Sequence, residues 1–195
     1  MRALIIAAEV VATTQAWVRD VVVGLNLCPF AKRELVLDRV RFAVTAATDE
    51  ESLLLALLRE LELLERDTTV ATTLLIHPDT LQDFDDYNQF LQLADELLRE
   101  QYLEGVYQIA SFHPDYQFAD TALNAAENYT NRSPYPMLHI INEASLQTAL
   151  ETYPDAASIP NTNIALLKHL GQAKMEALLL ACFVENGAIP TTPSR

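Results

Sequence analysis

The chain has 195 residues, of which half are apolar and 21% are charged, and its 13 basic and 27 acidic residues give a formal net charge of -14 at pH 7. This length suits one hydrophobic core and is short for two, so we expect a single domain over residues 1–188 with a flexible tail over 189–195. The negative charge disfavours nucleic acid as a partner, whereas a small anion can bind where a local Arg or Lys offsets the field.

The sequence also excludes several kinds of site. Two cysteines are too few for a disulfide framework, and neither belongs to a CxxC motif. The four glycines are too widely spaced for a P-loop or a GxGxxG turn, which excludes a nucleotide cofactor held by a glycine-rich loop. Glu9 interrupts an apolar N-terminus that otherwise resembles a signal peptide, and the sequence has no run of about 18 apolar residues. We therefore expect a cytoplasmic protein without membrane association.

Apolar periodicity predicts that helices and strands alternate through the middle of the chain. This alternation is typical of parallel strands joined by crossover helices. We expect an α/β fold with a small, mostly parallel sheet of three to four strands, built from β-α-β-α-β plus a further strand and flanked by N- and C-terminal helices. The predicted elements are a helix over 3–23, a turn over 26–33, a strand over 36–45, a helix over 49–66, a strand over 70–76, a helix over 80–102, strands over 106–112 and 137–141, and helices over 144–150 and 163–184.

The segment between the last two strands, residues 113–136, has neither a helical nor a strand period. Long irregular segments in compact domains are usually functional or disordered, and disordered segments contain few aromatic residues. Here six of the fifteen aromatic residues fall between Tyr107 and Tyr135. We therefore expect an ordered loop that forms the functional site.

Two predicted strands end in the same tripeptide, His-Pro-Asp, at 77–79 and 113–115. Successive strands of a parallel sheet end on one edge, where open α/β sheets place their ligands. We therefore interpret His77, His113 and Asp115 as candidate catalytic residues. The structural alternative is that Pro ends the strand and Asp caps the following turn.

His139 lies in an otherwise apolar strand, where a histidine is more often a hydrogen-bonded core residue. Together with His113 and Asp115 it would supply two imidazoles and a carboxylate, a set that suits Zn or non-haem Fe. The sequence has no compact ligand spacing such as HExxH. A divalent metal is therefore the weaker alternative, and no metal site is predicted as the main interpretation.

Cys28 is the candidate nucleophile. If Pro29 opens a helical turn, the sulfur lies at a positive helix end close to Lys32 and Arg33, and these conditions lower the pKa of a thiol. The alternative is that Cys28 is buried and only packs. Cys182, in an apolar run, is expected to be a core residue.

The loop supplies the candidates for substrate binding. Arg132 can bind a carboxylate or phosphate through its guanidinium group, or it can fix the loop by bonding to backbone carbonyls. The residues that we assign to substrate binding are Arg132, Tyr116, Tyr135 and Asn131.

These motifs carry a family resemblance. The chain resembles an uncharacterised bacterial family, the domain of unknown function 1415, in the segments 24–30, 77–78, 112–118 and 131–136 and in His139 and Glu143. The resemblance implies that these segments define the family and form one site, but it implies no activity or cofactor. Asn142 stands where we expect Arg from the family pattern.

Three hypotheses of function follow. The leading one is a small enzyme that acts on a small anionic molecule in a Cys/His/Asp/Arg cleft at the strand ends. The second is a metal-binding or ligand-sensing module without turnover. The third is an interaction module that docks a protein partner on the aromatic loop.

Overall fold

The computed structural model describes residues 2–153 and 155–184, and for residues 2–6, 152 and 184 it describes the backbone alone. The predicted tail over 189–195 lies outside these ranges. Among the described residues, no helix combines the length and the apolarity needed to cross a lipid bilayer.

The fold is mixed α/β, with helices around a four-stranded sheet, and most predicted boundaries agree within a few residues. The strands are β1 Val40–Val44, β2 Thr72–Ile76, β3 Tyr107–Phe112 and β4 Met137–Asn142. The helices are α1 Arg2–Trp17, a π-helix Val18–Val23, α2 Ala31–Val36, α3 Glu50–Arg66, α4 Phe84–Glu100, α5 Glu143–Thr152, α6 Ile159–Leu170 and α7 Gln172–Val184.

Local chemistry sets the ends of these elements. Asp49 begins α3, because its carboxylate accepts from the Ser52 backbone N–H at 2.7 Å and the Ser52 hydroxyl accepts in return from the Asp49 N–H. Gly171, with φ of +78°, divides the predicted helix over 163–184 into α6 and α7. A left-handed φ favours glycine, so this break follows from one residue.

The sheet is mixed, and the prediction of a mostly parallel sheet was wrong. The strand order is β1-β2-β4-β3, with β1 parallel to β2 and β4 antiparallel to both of its neighbours. Met137, the first residue of β4, pairs with Ile76 on one side and Phe112 on the other. The loop over 113–136 therefore returns the chain at the edge where β2 and β3 end, and β4 must run backwards between them.

Helices cover both faces of the sheet. On the face that we name the α3–α4 face, Leu75, Leu138 and Ile140 pack against α3 and α4. On the opposite face, named the π-helix face, Leu74, Ile76 and Met137 pack among residues of α1, the π-helix, α6 and α7. Because side chains alternate along a strand, this pattern assigns every sheet residue to a face.

The π-helix modifies the predicted N-terminal helix. Its wide turn is closed by bonds to residues five positions earlier, from the Gly24 N–H to the Arg19 carbonyl at 3.0 Å and from the Leu27 N–H to the Val22 carbonyl at 2.8 Å. A Cβ at position 24 would clash with the Asp20 carbonyl oxygen, so glycine is needed there for close approach. π-helical turns frequently occur at functional sites.

Candidate functional site

A pocket of about 890 Å³ lies on the π-helix face of the sheet, and we name it the sheet pocket. It lies towards the end of the sheet where β1 and β2 begin and β4 ends, and Arg39, Ala71 and Asn142 line it there. Its floor is formed by strand residues that point to the π-helix face, which are Val40, Thr72, Leu74, Ala110, Phe112, His139 and Ile141.

The walls of the sheet pocket come from two parts of the chain that are distant in sequence. The π-helix and the residue before it provide Trp17, Val18 and Val22, and the turn after it provides Cys28, Pro29 and Phe30. The helix α5 and the residue after it provide Ser145, Leu146, Ala149 and Tyr153, and the rings of Phe30 and Tyr153 meet edge to face at 5.6 Å. The exposed surface of the lining is mainly apolar.

The charged residues among those that line the sheet pocket are Arg33, Glu34 and Arg39. Glu34 accepts from Arg33 at 2.8 Å and forms an ion pair with Arg39 at 3.5 Å. Two guanidinium groups around one carboxylate leave a local excess of one positive charge. This excess is notable in a chain whose net charge is -14, because it is the kind of local offset that an anion requires.

His139 contributes the imidazole of the sheet pocket. Its Nε2 lies 2.7 Å from the Thr72 hydroxyl, which in turn lies 2.6 Å from the Ile140 carbonyl oxygen. A carbonyl only accepts, so the single hydroxyl proton of Thr72 must be donated to Ile140, and His139 Nε2–H must donate to Thr72. Nδ1 is therefore unprotonated, and no described residue donates a hydrogen bond to it.

Burial among the floor residues lowers the pKa of His139 to about 4. The cause is desolvation, which disfavours the charged imidazolium. At neutral pH the ring is therefore an uncharged acceptor. His139 lines the sheet pocket, and its Nδ1 is not among the buried polar atoms that lack a partner, so this nitrogen is accessible from the sheet pocket.

Cys28 lies in the sheet pocket, but the prediction of a low thiol pKa was wrong. Burial raises its pKa above the ordinary value near 9, and hydrogen bonds from the Phe30 and Ala31 backbone offset this only in part. The helix α2 begins at Ala31, so the sulfur lies before the helix end rather than in its first turn. Cys28 is therefore a protonated thiol at neutral pH.

We expect Cys28 to react slowly with iodoacetamide, since the thiolate is the reactive species. At pH 7.5 its rate should be at least about 3-fold below that of free cysteine, and the rate should rise with pH to beyond pH 9. Mass spectrometry after timed quenching measures this rate. The Cys28→Ser variant is the control, because Cys182 is only 2% exposed. A rate that reaches its plateau below pH 7 would contradict the raised pKa.

His77 and His113 lie on the same edge of the sheet, as predicted, but on the α3–α4 face. Both are fully buried and both contact the ring of Tyr87, at centroid distances of 5.8 Å and 5.1 Å. Burial lowers the pKa of His77 to about 4 and lowers the pKa of His113. Tyr87 donates to the Met137 carbonyl at 2.8 Å and accepts from the Phe112 N–H at 3.0 Å.

The sheet therefore separates the predicted catalytic group. Cys28 and His139 lie at the π-helix face, and His77 and His113 lie at the other. The expectation that Cys28, His77, His113 and Asp115 share one cleft at the strand ends is corrected by this geometry, because it depended on edge position and did not consider the face.

The structure also does not bring together the alternative metal group of His113, Asp115 and His139. His113 uses Nε2 on the Leu81 carbonyl at 3.1 Å and Nδ1 on the Asp115 N–H at 3.0 Å, which leaves no nitrogen for a metal. Among the described residues, no group of three or more His, Cys, Asp or Glu side chains is arranged to hold a metal ion.

The loop over 113–136 is ordered by its own contacts. Arg132 donates to the carbonyls of Tyr116 at 3.1 Å and Leu123 at 2.7 Å, and its guanidinium lies 4.9 Å from the Tyr129 ring centre. Arg132 therefore fixes the loop through backbone carbonyls, which is the structural alternative to the predicted role in substrate binding.

The other loop candidates are engaged with the protein as well. Asn131 donates to the Ser111 carbonyl at 3.0 Å, Tyr116 packs on Phe84, and Tyr135 packs on Phe183. None of these side chains lines the sheet pocket.

Sequence reasoning missed most of the sheet pocket. Thr72 had a usable signal, because it starts a strand on the same face as its apolar neighbours and a hydroxyl there needs a partner. For Trp17 and Phe30 the sequence contained no signal of a pocket beyond the size of their side chains. Arg39 falls within the predicted strand over 36–45, and its pairing with Glu34 depends on the turn that ends α2.

The comparison with known families agrees with the motifs. The family model described as Protein of unknown function (DUF1415) matches residues 9–177, which is most of the chain. The chain belongs to this family. The matched region includes the sheet pocket, the loop and both His-Pro-Asp segments, and the resemblance seen in the sequence is thereby confirmed. No curated protein and no solved structure matches the chain.

Proposed function

We propose that this DUF1415 protein binds a small organic anion with an apolar body in the sheet pocket. The observation that carries the proposal is the sheet pocket itself, which combines a mainly apolar lining with a local positive excess at Arg33, Glu34 and Arg39. Its volume of about 890 Å³ falls within the range of small-molecule sites.

The lining of the sheet pocket suits a ligand with an apolar part and an anionic part. Phe30 and Phe112 offer aromatic surface to a ring or branched chain, whose burial supplies most of the affinity. Arg33 and Arg39 can bind a carboxylate, since a guanidinium forms charge-assisted hydrogen bonds with it. The side chains of Arg33 and Arg39 are 73% and 36% exposed, so an anion can approach both from solvent.

The test compares two double variants by calorimetric titration with a panel of arylalkanoates. In Arg33→Gln/Arg39→Gln the local charge changes sign, because Glu34 remains, and we expect affinity to fall about 10-fold or more. The matched control is Arg59→Gln/Arg99→Gln on α3 and α4, which changes the net charge equally on exposed residues of the other layer.

The control should bind within about 2-fold of the native chain, because distant exposed charges are screened by salt. Equal losses in the two double variants would assign the effect to net charge and contradict an anion site at Arg33 and Arg39.

An enzyme that converts the bound anion is the second candidate. The observation that favours it is that a thiol, Cys28, and a neutral imidazole, His139, line one apolar pocket. Conversion of an acid at saturating concentration, followed by NMR of the small molecule, should then slow in His139→Gln. Unchanged acids after prolonged incubation with the native chain would leave binding alone as the function.

A further inference from the structure

The unprotonated Nδ1 of His139 is the feature of the sheet pocket that carries a further inference. The chain of hydrogen bonds from His139 Nε2 to Thr72 and from Thr72 to the Ile140 carbonyl holds the ring in one tautomer, with distances of 2.7 Å and 2.6 Å. An oxygen–oxygen separation of 2.6 Å requires a proton between the two atoms, so the direction of the chain is fixed.

The opposite tautomer would break this arrangement. With the proton on Nδ1, Nε2 and the Ile140 carbonyl would compete for the single hydroxyl proton of Thr72, and one buried acceptor would lose its donor. Protonation of both nitrogens is also disfavoured, because burial lowers the pKa of His139 to about 4. Across the physiological range, His139 therefore presents a lone pair and not an N–H.

The rest of the lining gives this lone pair no donor. Among the described residues, none donates to His139 Nδ1, and the neighbouring floor residues Leu74, Ala110 and Phe112 are apolar. A ligand that covers His139 with a hydrocarbon group would remove Nδ1 from water without replacing its hydrogen bond, and such desolvation is unfavourable.

We propose that the ligand is an organic acid that also carries a hydroxyl or N–H group, and that this group donates a hydrogen bond to Nδ1 of His139. The inference rests on the proposed anion site, since it describes the other end of the same ligand. His139 is thus a specificity-determining residue that separates donor-bearing acids from their plain analogues.

Matched pairs of acids test the inference. The probes are phenylacetate against 4-hydroxyphenylacetate, and 3-phenylpropionate against its 3-hydroxy and 4-hydroxy derivatives. In the native chain at least one hydroxylated acid should bind about 3- to 10-fold more tightly than its plain analogue. This ratio corresponds to the net contribution of one hydrogen bond. In His139→Phe, which has no acceptor, this ratio should fall to about one.

The ring nitrogens of His139 give an independent readout by ¹⁵N NMR. The free protein should show Nε2 protonated and Nδ1 unprotonated, and the hydroxylated acid should shift the Nδ1 signal while its plain analogue leaves it nearly unchanged. Thr72→Val retains the ring and removes the hydroxyl, so it should allow both tautomers and reduce the preference even if His139→Phe folds poorly.

The outcomes separate the two proposals. Equal affinity for every matched pair, or a proton on Nδ1 in the free protein, would overturn this inference and leave the anion site intact. Absence of binding by all the acids would overturn the proposed anion site, and this inference with it.

Discussion

The free energy of unfolding should fall by several kcal/mol as the pH is lowered from 7 to 4.5, and buried histidines should account for much of this loss. The pKa values of His77 and His139 are lowered to about 4 in the folded protein, whereas the unfolded chain has ordinary values near 6.5. Between these values the unfolded state binds more protons, so stability is full above pH 6.5 and is lost as the pH falls towards 4. The shift corresponds to about 3 kcal/mol for His77, and to less for His139, whose ring faces the sheet pocket.

Urea denaturation at several pH values measures this loss, and three variants assign it. His77→Asn retains a donor in the position of Nδ1, which bonds the Thr80 carbonyl at 3.0 Å, and His139→Gln retains one in the position of Nε2. Each variant should be less stable than the native chain at pH 7, and the difference should shrink by pH 4.5. His169→Gln is the control, since this histidine is exposed. If the difference between native chain and variants stays constant with pH, the two rings are not held neutral.

Replacing Tyr87 by Phe should destabilise the protein by about 3 kcal/mol, because it removes a buried hydroxyl that makes two hydrogen bonds to backbone groups. The Tyr87 hydroxyl joins the Met137 carbonyl to the Phe112 N–H, and so it connects the start of β4 to the end of β3. The side chain is fully buried, so water cannot take the place of the hydroxyl. For a chain of this size the expected decrease in the melting temperature is about 6–12 °C.

Tyr102→Phe is the matched control for this substitution. Tyr102 is 92% exposed, so the loss of its hydroxyl should change stability by less than about 0.5 kcal/mol. Calorimetric melting of both variants gives the comparison. A Tyr87→Phe variant as stable as the control would mean that the hydroxyl does not hold the two strands together.

The sequence predicted the local elements of the fold well, since periodicity acts over short distances. The leucine stripe of α3 and the β-branched run of β2 give their own secondary structure, and both segments appear close to the predicted boundaries. The common edge of His77 and His113 was also predictable, because β2 and β3 run in the same direction. What periodicity does not encode is the path of a long irregular segment, and the return of residues 113–136 to the same edge decided the direction of β4.

The site was harder to predict because it depends on which helices cover which face. His139 was identified as a histidine in an apolar strand, but its role follows from Thr72, which is 67 residues away in sequence. Cys28 was identified correctly as a residue of interest, yet its environment is set by packing against the sheet, which raises its pKa instead of lowering it. Arg132 was assigned to substrate binding because of its residue type. In the structure its guanidinium bonds two backbone carbonyls of the loop instead.

These corrections change where ligand chemistry is expected in this family. The aromatic loop and the His-Pro-Asp segments form a packed, hydrogen-bonded edge around Tyr87, and their contacts favour a structural role. The turn over Cys28 and Phe30 and the strand with His139 form the sheet pocket. Both groups belong to the segments that carry the family resemblance, so the family pattern combines a structural edge with a candidate binding site.

NMR titration of the single tryptophan, Trp17, tests the anion site in the sheet pocket most directly. Trp17 lines the sheet pocket and is the chain's one tryptophan, so its indole N–H gives a single resonance that reports on this wall. We predict that an arylalkanoate shifts this resonance in a saturable manner, together with resonances of His139 and Phe30, and that Arg33→Gln/Arg39→Gln requires higher concentrations for the same shift. Saturable binding that leaves Trp17, His139 and Phe30 unchanged and shifts residues of the loop over 113–136 would contradict it.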